Sequence, residues 1–97
     1  MEEYIYYNNL YDCYYKLLTE KQRIYFEEYY FNNLSLSEIS QNYDVSRNAI
    51  YKQLQITIKK LEEYETLLNL YSKKEKIEKL IADCSEKDIK QRLKELI

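Results

Sequence analysis

Arg47, Asn48, Tyr51, Lys52 and Gln55 are the residues of this chain whose types and spacing could do chemistry. They recur at helical intervals, so a helix through them gathers them on one face. Arginine and lysine reach phosphate oxygens, and asparagine, glutamine and tyrosine reach base edges. Ser46 just before them and Lys59 beyond them extend the same surface. The chemistry is recognition of nucleic acid. The candidate interface is Ser46, Arg47, Asn48, Tyr51, Lys52, Gln55 and Lys59.

Catalysis has little to work with. The 97 residues include no histidine and no glycine. Without histidine there is no ready general base near neutral pH. Without glycine there is no Walker loop and no dinucleotide fingerprint. A serine or cysteine nucleophile would lack its usual activator. Cys13 and Cys84 are the only cysteines, too few for a zinc site. They read as small buried or half-buried side chains. The expectation is a protein that is not an enzyme, with no cofactor and no metal.

The element that must position the candidate face is a helix-turn-helix over residues 35–61. Ser35 caps its first helix, and Glu38 three residues later completes a capping box. Ile39 and Tyr43 face the core. The turn falls at Asn42 to Asp44. In a chain without glycine, Asp44 or Asn42 must take the left-handed conformation. Val45 plugs the space between the helices, and Ser46 caps the second. Ile50, Leu54, Ile58 and Leu61 form its inward stripe. Two packed amphipathic helices can also be mere scaffold.

Charge favours an anionic partner. Residues 1–44 carry a balance of −5, residues 45–61 one of +4 with no acid, and residues 62–97 one of −1. A solvated face normally mixes signs, so an acid-free helix inside an acidic protein is notable. Binding through so small a patch should depend strongly on salt.

The rest of the chain reads as helix throughout, since proline and glycine are absent. The expected fold is all-α: about five helices in a single domain over 1–97, with a C-terminal helical arm over 62–97. A first helix covers about residues 2–17. One stripe on it is Tyr6, Leu10, Cys13 and Leu17, and a second is Tyr4, Tyr7, Tyr11, Tyr14 and Leu18. Two stripes exceed what one core needs, which suggests a second packing partner such as another subunit. Thr19 with Gln22 opens a second helix that runs to about Phe31 and ends at Asn32 and Asn33. Its apolar residues point nearly all round. The fourth helix continues past Leu61 toward Tyr71, with a bend near Asn69 to Ser72. In the last segment Ile77, Leu80, Ile81 and Cys84 make one amphipathic stretch. Ser85 with Asp88 restarts a helix that buries Ile89, Leu93 and Leu96. Its lysines alternate with acids, as on a solvated face.

The thirteen tyrosines, with abundant Asn, Ile and Lys, suggest an AT-rich coding genome. Most fall on apolar helical positions. Only Tyr51 lies on the reading face. No apolar run approaches the ~20 residues of a membrane span, and the N-terminus lacks the features of a signal peptide. The expected setting is the cytoplasm, away from membrane.

From Leu18 through Leu61 the sequence is similar to the fourth region of bacterial sigma factors. There a helix opening like Leu18-Thr19-Glu20-Lys21-Gln22-Arg23 precedes a helix-turn-helix that reads promoter DNA. The closer resemblance is to the YlxM-type family of bacterial helix-turn-helix proteins. It is carried by LLTEKQR, the aromatic pair in EEYYFNNLSLSEIS, VSRNAIY and KKLEEYE. It is specific from about residue 10 to 68 and rests on general character beyond Tyr71. Asp44 departs from the glycine that related turns often use.

YlxM-type genes lie beside those for the signal recognition particle protein and its receptor. The resemblance therefore implies an accessory or regulator of that pathway, and a helical homodimer. The implied partners are nucleic acid (DNA or the particle's RNA) and the particle's protein. A DNA-binding transcription regulator is the alternative, and a protein–protein module with a vestigial helix-turn-helix is a third.

Overall fold

A computed structural model describes residues 2–96. Six α-helices follow one another with no strand among the described residues: α1 Glu2–Tyr14, α2 Glu20–Phe26, α3 Leu36–Tyr43, α4 Arg47–Leu68, α5 Leu70–Asp83 and α6 Lys87–Lys94. A 3-10 turn, Tyr15–Leu17, follows α1, and a π-turn, Glu27–Phe31, prolongs α2. The expected five helices become six because the last segment divides into α5 and α6.

Caps set the starts. The Thr19 hydroxyl accepts from the Gln22 amide N–H, and the Gln22 side chain accepts from the Thr19 N–H. Ser35 and Glu38 repeat that reciprocal pair at α3. The Ser46 hydroxyl accepts from Ala49 N–H at α4. Stops are set by left-handed residues. Asn33, Asp44 and Asn69 have φ of 56°, 54° and 54°. Each follows a helical stretch, where glycine is the usual choice and Asn or Asp the next most tolerant. At Asp44 the Val45 N–H reaches back to the Ser40 carbonyl, and the Ser40 hydroxyl donates to the Val45 carbonyl. Asn69 falls where a bend is expected and ends α4.

Two apolar clusters hold the body. Tyr25, Ile39, Ile50 and Leu54 fill the helix-turn-helix, with Val45 and Leu36 packed against them. Leu10, Tyr11, Tyr14, Leu18, Phe26 and Leu61 form the second, where α1 crosses α2 and α4. Phe26 is sandwiched between Tyr11 and Tyr30, with both ring centroids at 4.5 Å. The partly buried Tyr30 packs against both clusters and joins them. Burial and a hydrogen bond to Glu27 push the Tyr11 hydroxyl well above the usual phenol range.

Several expectations change here. The Tyr6–Leu10–Cys13–Leu17 stripe of α1 needs no other subunit to cover much of it. Tyr6 meets Tyr71 of α5 edge-on at 6.0 Å, and Cys13 packs against the α1–α4 cluster. Leu17 alone of that stripe stays largely in solvent, at 54% exposure. α2 is the most enclosed helix as expected, except that its extension Phe31 is exposed. Tyr43 is only half-covered, edge-on to Tyr25. α6 does not start as expected. Glu86, not Ser85, precedes it, and no side chain caps it. Nor does α6 bury Ile89 or Leu96, which are 47% and 74% exposed. An eight-residue helix that packs chiefly on α5 has no second wall to cover them.

The arm lengthens the molecule. Its extents are 54 × 25 × 22 Å and its radius of gyration is 16.7 Å. A compact domain of about 100 residues has roughly 13 Å.

Candidate nucleic-acid interface

The inward stripe of α4 fixes which side is left for a ligand. Ile50, Leu54 and Leu61 are buried and Ile58 is half-buried, as the spacing predicts. Thr57 is fully buried beside them. Sequence reading missed it, since threonine carries no apolar signal. Its hydroxyl donates to the Gln53 carbonyl at 2.7 Å, which satisfies it inside the helix's own turn.

All seven candidate residues lie on the solvent side. Ser46, Arg47, Asn48, Tyr51, Lys52, Gln55 and Lys59 are each exposed. From Asn48 to Lys59 the helix advances about 16 Å at its usual rise. That is comparable with the ~12 Å width of a B-DNA major groove.

The stripe is not uniform. Its N-terminal end borders an open depression lined by Leu36, Ser46, Arg47, Asn48 and Tyr51. The start of α3 and the first turn of α4 therefore face one ligand space. Ser46 is partly committed: its oxygen caps α4, while its proton stays free to donate. Tyr51 and Gln55 are not independent either. The Gln55 amide donates to the Tyr51 hydroxyl at 2.8 Å. Lys59 stands at the far end, around a second depression with Glu62 and Glu63. Acidic neighbours make it the weakest phosphate donor of the set. Glu38 and Asp44 are exposed on the α3 side. An anion must therefore approach α4 rather than α3.

A profile of the YlxM/p13-like helix-turn-helix family UPF0122 matches residues 1–97. The chain belongs to that family. A UPF0122 protein of Fusobacterium nucleatum is 39% identical over 97 residues, covering 100% of this chain and 94% of its own. One from Shouchella clausii is 50% identical over 76 residues, 78% of this chain and 70% of the relative. One from Oceanobacillus iheyensis is 43% identical over 93 residues, 92% of this chain and 89% of the relative. Within this chain the helix-turn-helix geometry lies at α3 and α4, with the outer face of α4 open. No helix among the described residues is long and apolar enough to cross a membrane.

Proposed function

We propose that this UPF0122 protein is an accessory or regulatory factor of the signal recognition particle pathway, acting in the cytoplasm. It binds nucleic acid through the outer face of α4 and the particle's protein through the α5–α6 arm. The observation that carries this reading is the exposed, acid-free stripe from Ser46 to Lys59, set on a capped helix-turn-helix. The pathway is supported by the resemblance to YlxM-type proteins, whose genes neighbour those of the particle's protein and its receptor.

The two contacts should respond differently to salt. Arginine and lysine on phosphate release counterions, so that part weakens steeply as salt rises. An amphipathic helix in an apolar groove persists. The test is binding of the purified chain to the particle's protein, its RNA and the assembled particle across a salt series. Binding to at least one is expected. Binding to none, beside tight binding to a promoter fragment, would favour a DNA-binding transcription regulator. That second reading draws on α4 itself, since a helix so presented is the element that reads a major groove.

A symmetric homodimer is part of this reading, and the exposed leucines of the C-terminal segment 62–97 support it more than α1 does. Leu67, Leu80 and Leu96 are 78%, 61% and 74% exposed. They are far more open than Leu10, Leu18, Leu54 and Leu61 of the body, and an isologous contact would cover them. Light scattering at micromolar concentration should give twice the monomer mass; a monomer removes the dimer.

A further inference from the structure

We propose that Tyr51 and Gln55 form one base-reading unit, and that the ligand this unit reads is the major groove of duplex DNA. The inference rests on the reading that the α4 face meets nucleic acid.

The two side chains lie one helical turn apart, both in solvent, with Tyr51 51% exposed. Long exposed side chains usually keep their rotamer freedom. Here Gln55 Nε2 donates to Tyr51 Oη at 2.8 Å. The bond uses one of the two amide hydrogens and one lone pair of the phenol. Three functions stay free in a row: the Tyr51 O–H as donor, the Gln55 Oε1 as acceptor, and the second Gln55 N–H as donor. Adenine in the major groove offers an acceptor at N7 and a donor at N6, the complement of a glutamine amide. The Tyr51 O–H then meets an acceptor on the neighbouring pair, such as thymine O4 or guanine O6. Holding the amide before contact lowers the ordering cost of that contact.

Phosphate contact alone would not need such a pair. Arg47 and Lys52 flank it and supply the charge. Nor could the pair read an RNA helix, whose major groove is too deep and narrow for side chains to read. A duplex read by this pair is therefore DNA.

The experiment selects from a pool of DNA duplexes with a randomised central segment, with an RNA hairpin titrated in parallel. The proteins are wild type, Gln55→Ala and Tyr51→Phe. Both variants alter exposed positions, and unchanged thermal melts will show that they fold. Wild type should enrich adenine at one fixed position. Gln55→Ala should bind the unselected pool with an unchanged salt slope, while losing about tenfold or more of that discrimination. Tyr51→Phe, which frees the amide, should lose part of it. Wild-type binding to the pool without enrichment, or enrichment kept by Gln55→Ala, would overturn the pair and leave phosphate binding by α4 intact. Binding to the RNA hairpin but not to DNA would overturn it too. Binding to neither would remove the underlying reading as well.

Discussion

Glu65→Ala is expected to lower the melting temperature by more than about 10 °C, the largest loss from any single exposed or half-exposed position. Asn69 breaks the helix between α4 and α5 but lends α5 no side-chain cap. The cap comes from farther back. Glu65 Oε1 accepts from the Tyr71 N–H and Oε2 from the Ser72 N–H, both at 3.1 Å. Oε1 also accepts from the Tyr14 hydroxyl at 2.6 Å. That hydroxyl in turn accepts from the Leu70 N–H at 3.0 Å. The first three amides of α5 are thus served by one carboxylate and one phenol. The carboxylate's charge also suits the positive end of the α5 dipole.

Removing the carboxylate strands a phenol on a side chain that is 1% exposed, and two helix-start amides. Hydrogen bonds to a charged group are worth about 1.5–3 kcal/mol each and do not add fully. A loss of about 3 kcal/mol follows, and with ~4–8 °C per kcal/mol for a domain of this size, the stated shift. Tyr14→Phe should cost less, because Glu65 can still cap Tyr71 and Ser72. The two changes should couple strongly in a double-mutant cycle. Burial and the Glu65 bond push the Tyr14 hydroxyl up to about 12, so this phenol keeps the proton it donates near neutral pH. Thermal melts followed by circular dichroism decide it: a Glu65→Ala midpoint within a degree or two of wild type would refute this account.

The contrast between this junction and the caps shows what a sequence can reveal. Thr19 with Gln22, Ser35 with Glu38, and Ser46 each act within three residues, so their partners stand in the same line of text. Asp44 was legible because a chain without glycine has few residues that tolerate positive φ. The inward stripe of α4 was legible because one wall covers one face. The tyrosines of α1 were not so easily placed. Periodicity shows that Tyr6 and Tyr14 are apolar positions, but not that one meets α5 and the other caps it. Those partners lie more than fifty residues away. The π-turn at Glu27–Phe31 left no signal, because Tyr30 both stacks on Phe26 and reaches the second cluster, contacts that only the folded chain brings together. The start of α6 was misplaced for a related reason: Ser85 with Asp88 fits a capping pattern, yet the chain enters the helix one residue later. Of the candidate interface, sequence gave the seven residues and their common face. It gave no hint of the Tyr51–Gln55 bond, since exposed i,i+4 neighbours need not meet.

Arg47→Ala with Lys52→Ala should weaken nucleic-acid binding at least tenfold at low salt, with folding unchanged. Both side chains are exposed on the outer face of α4, away from the Ile50–Leu54–Leu61 stripe, so neither change opens the core. They carry two of the four positive charges in the acid-free segment. Lys59 is compromised by Glu62 and Glu63 nearby, and Lys60 is half-buried. The pair therefore supplies most of the usable charge. Each phosphate contact contributes about 0.9 to the slope of log affinity against log salt for duplex DNA. Losing two should flatten that slope by about 2, which distinguishes lost phosphate contacts from general damage. The measurement is a titration of one labelled duplex, and of the particle's RNA, at several salt concentrations with both proteins. If α4 is the interface, affinity and slope fall together. An unchanged slope with weaker binding would mean that the two residues shape the surface without touching phosphate. Unchanged affinity for both ligands would move the interface off α4 altogether.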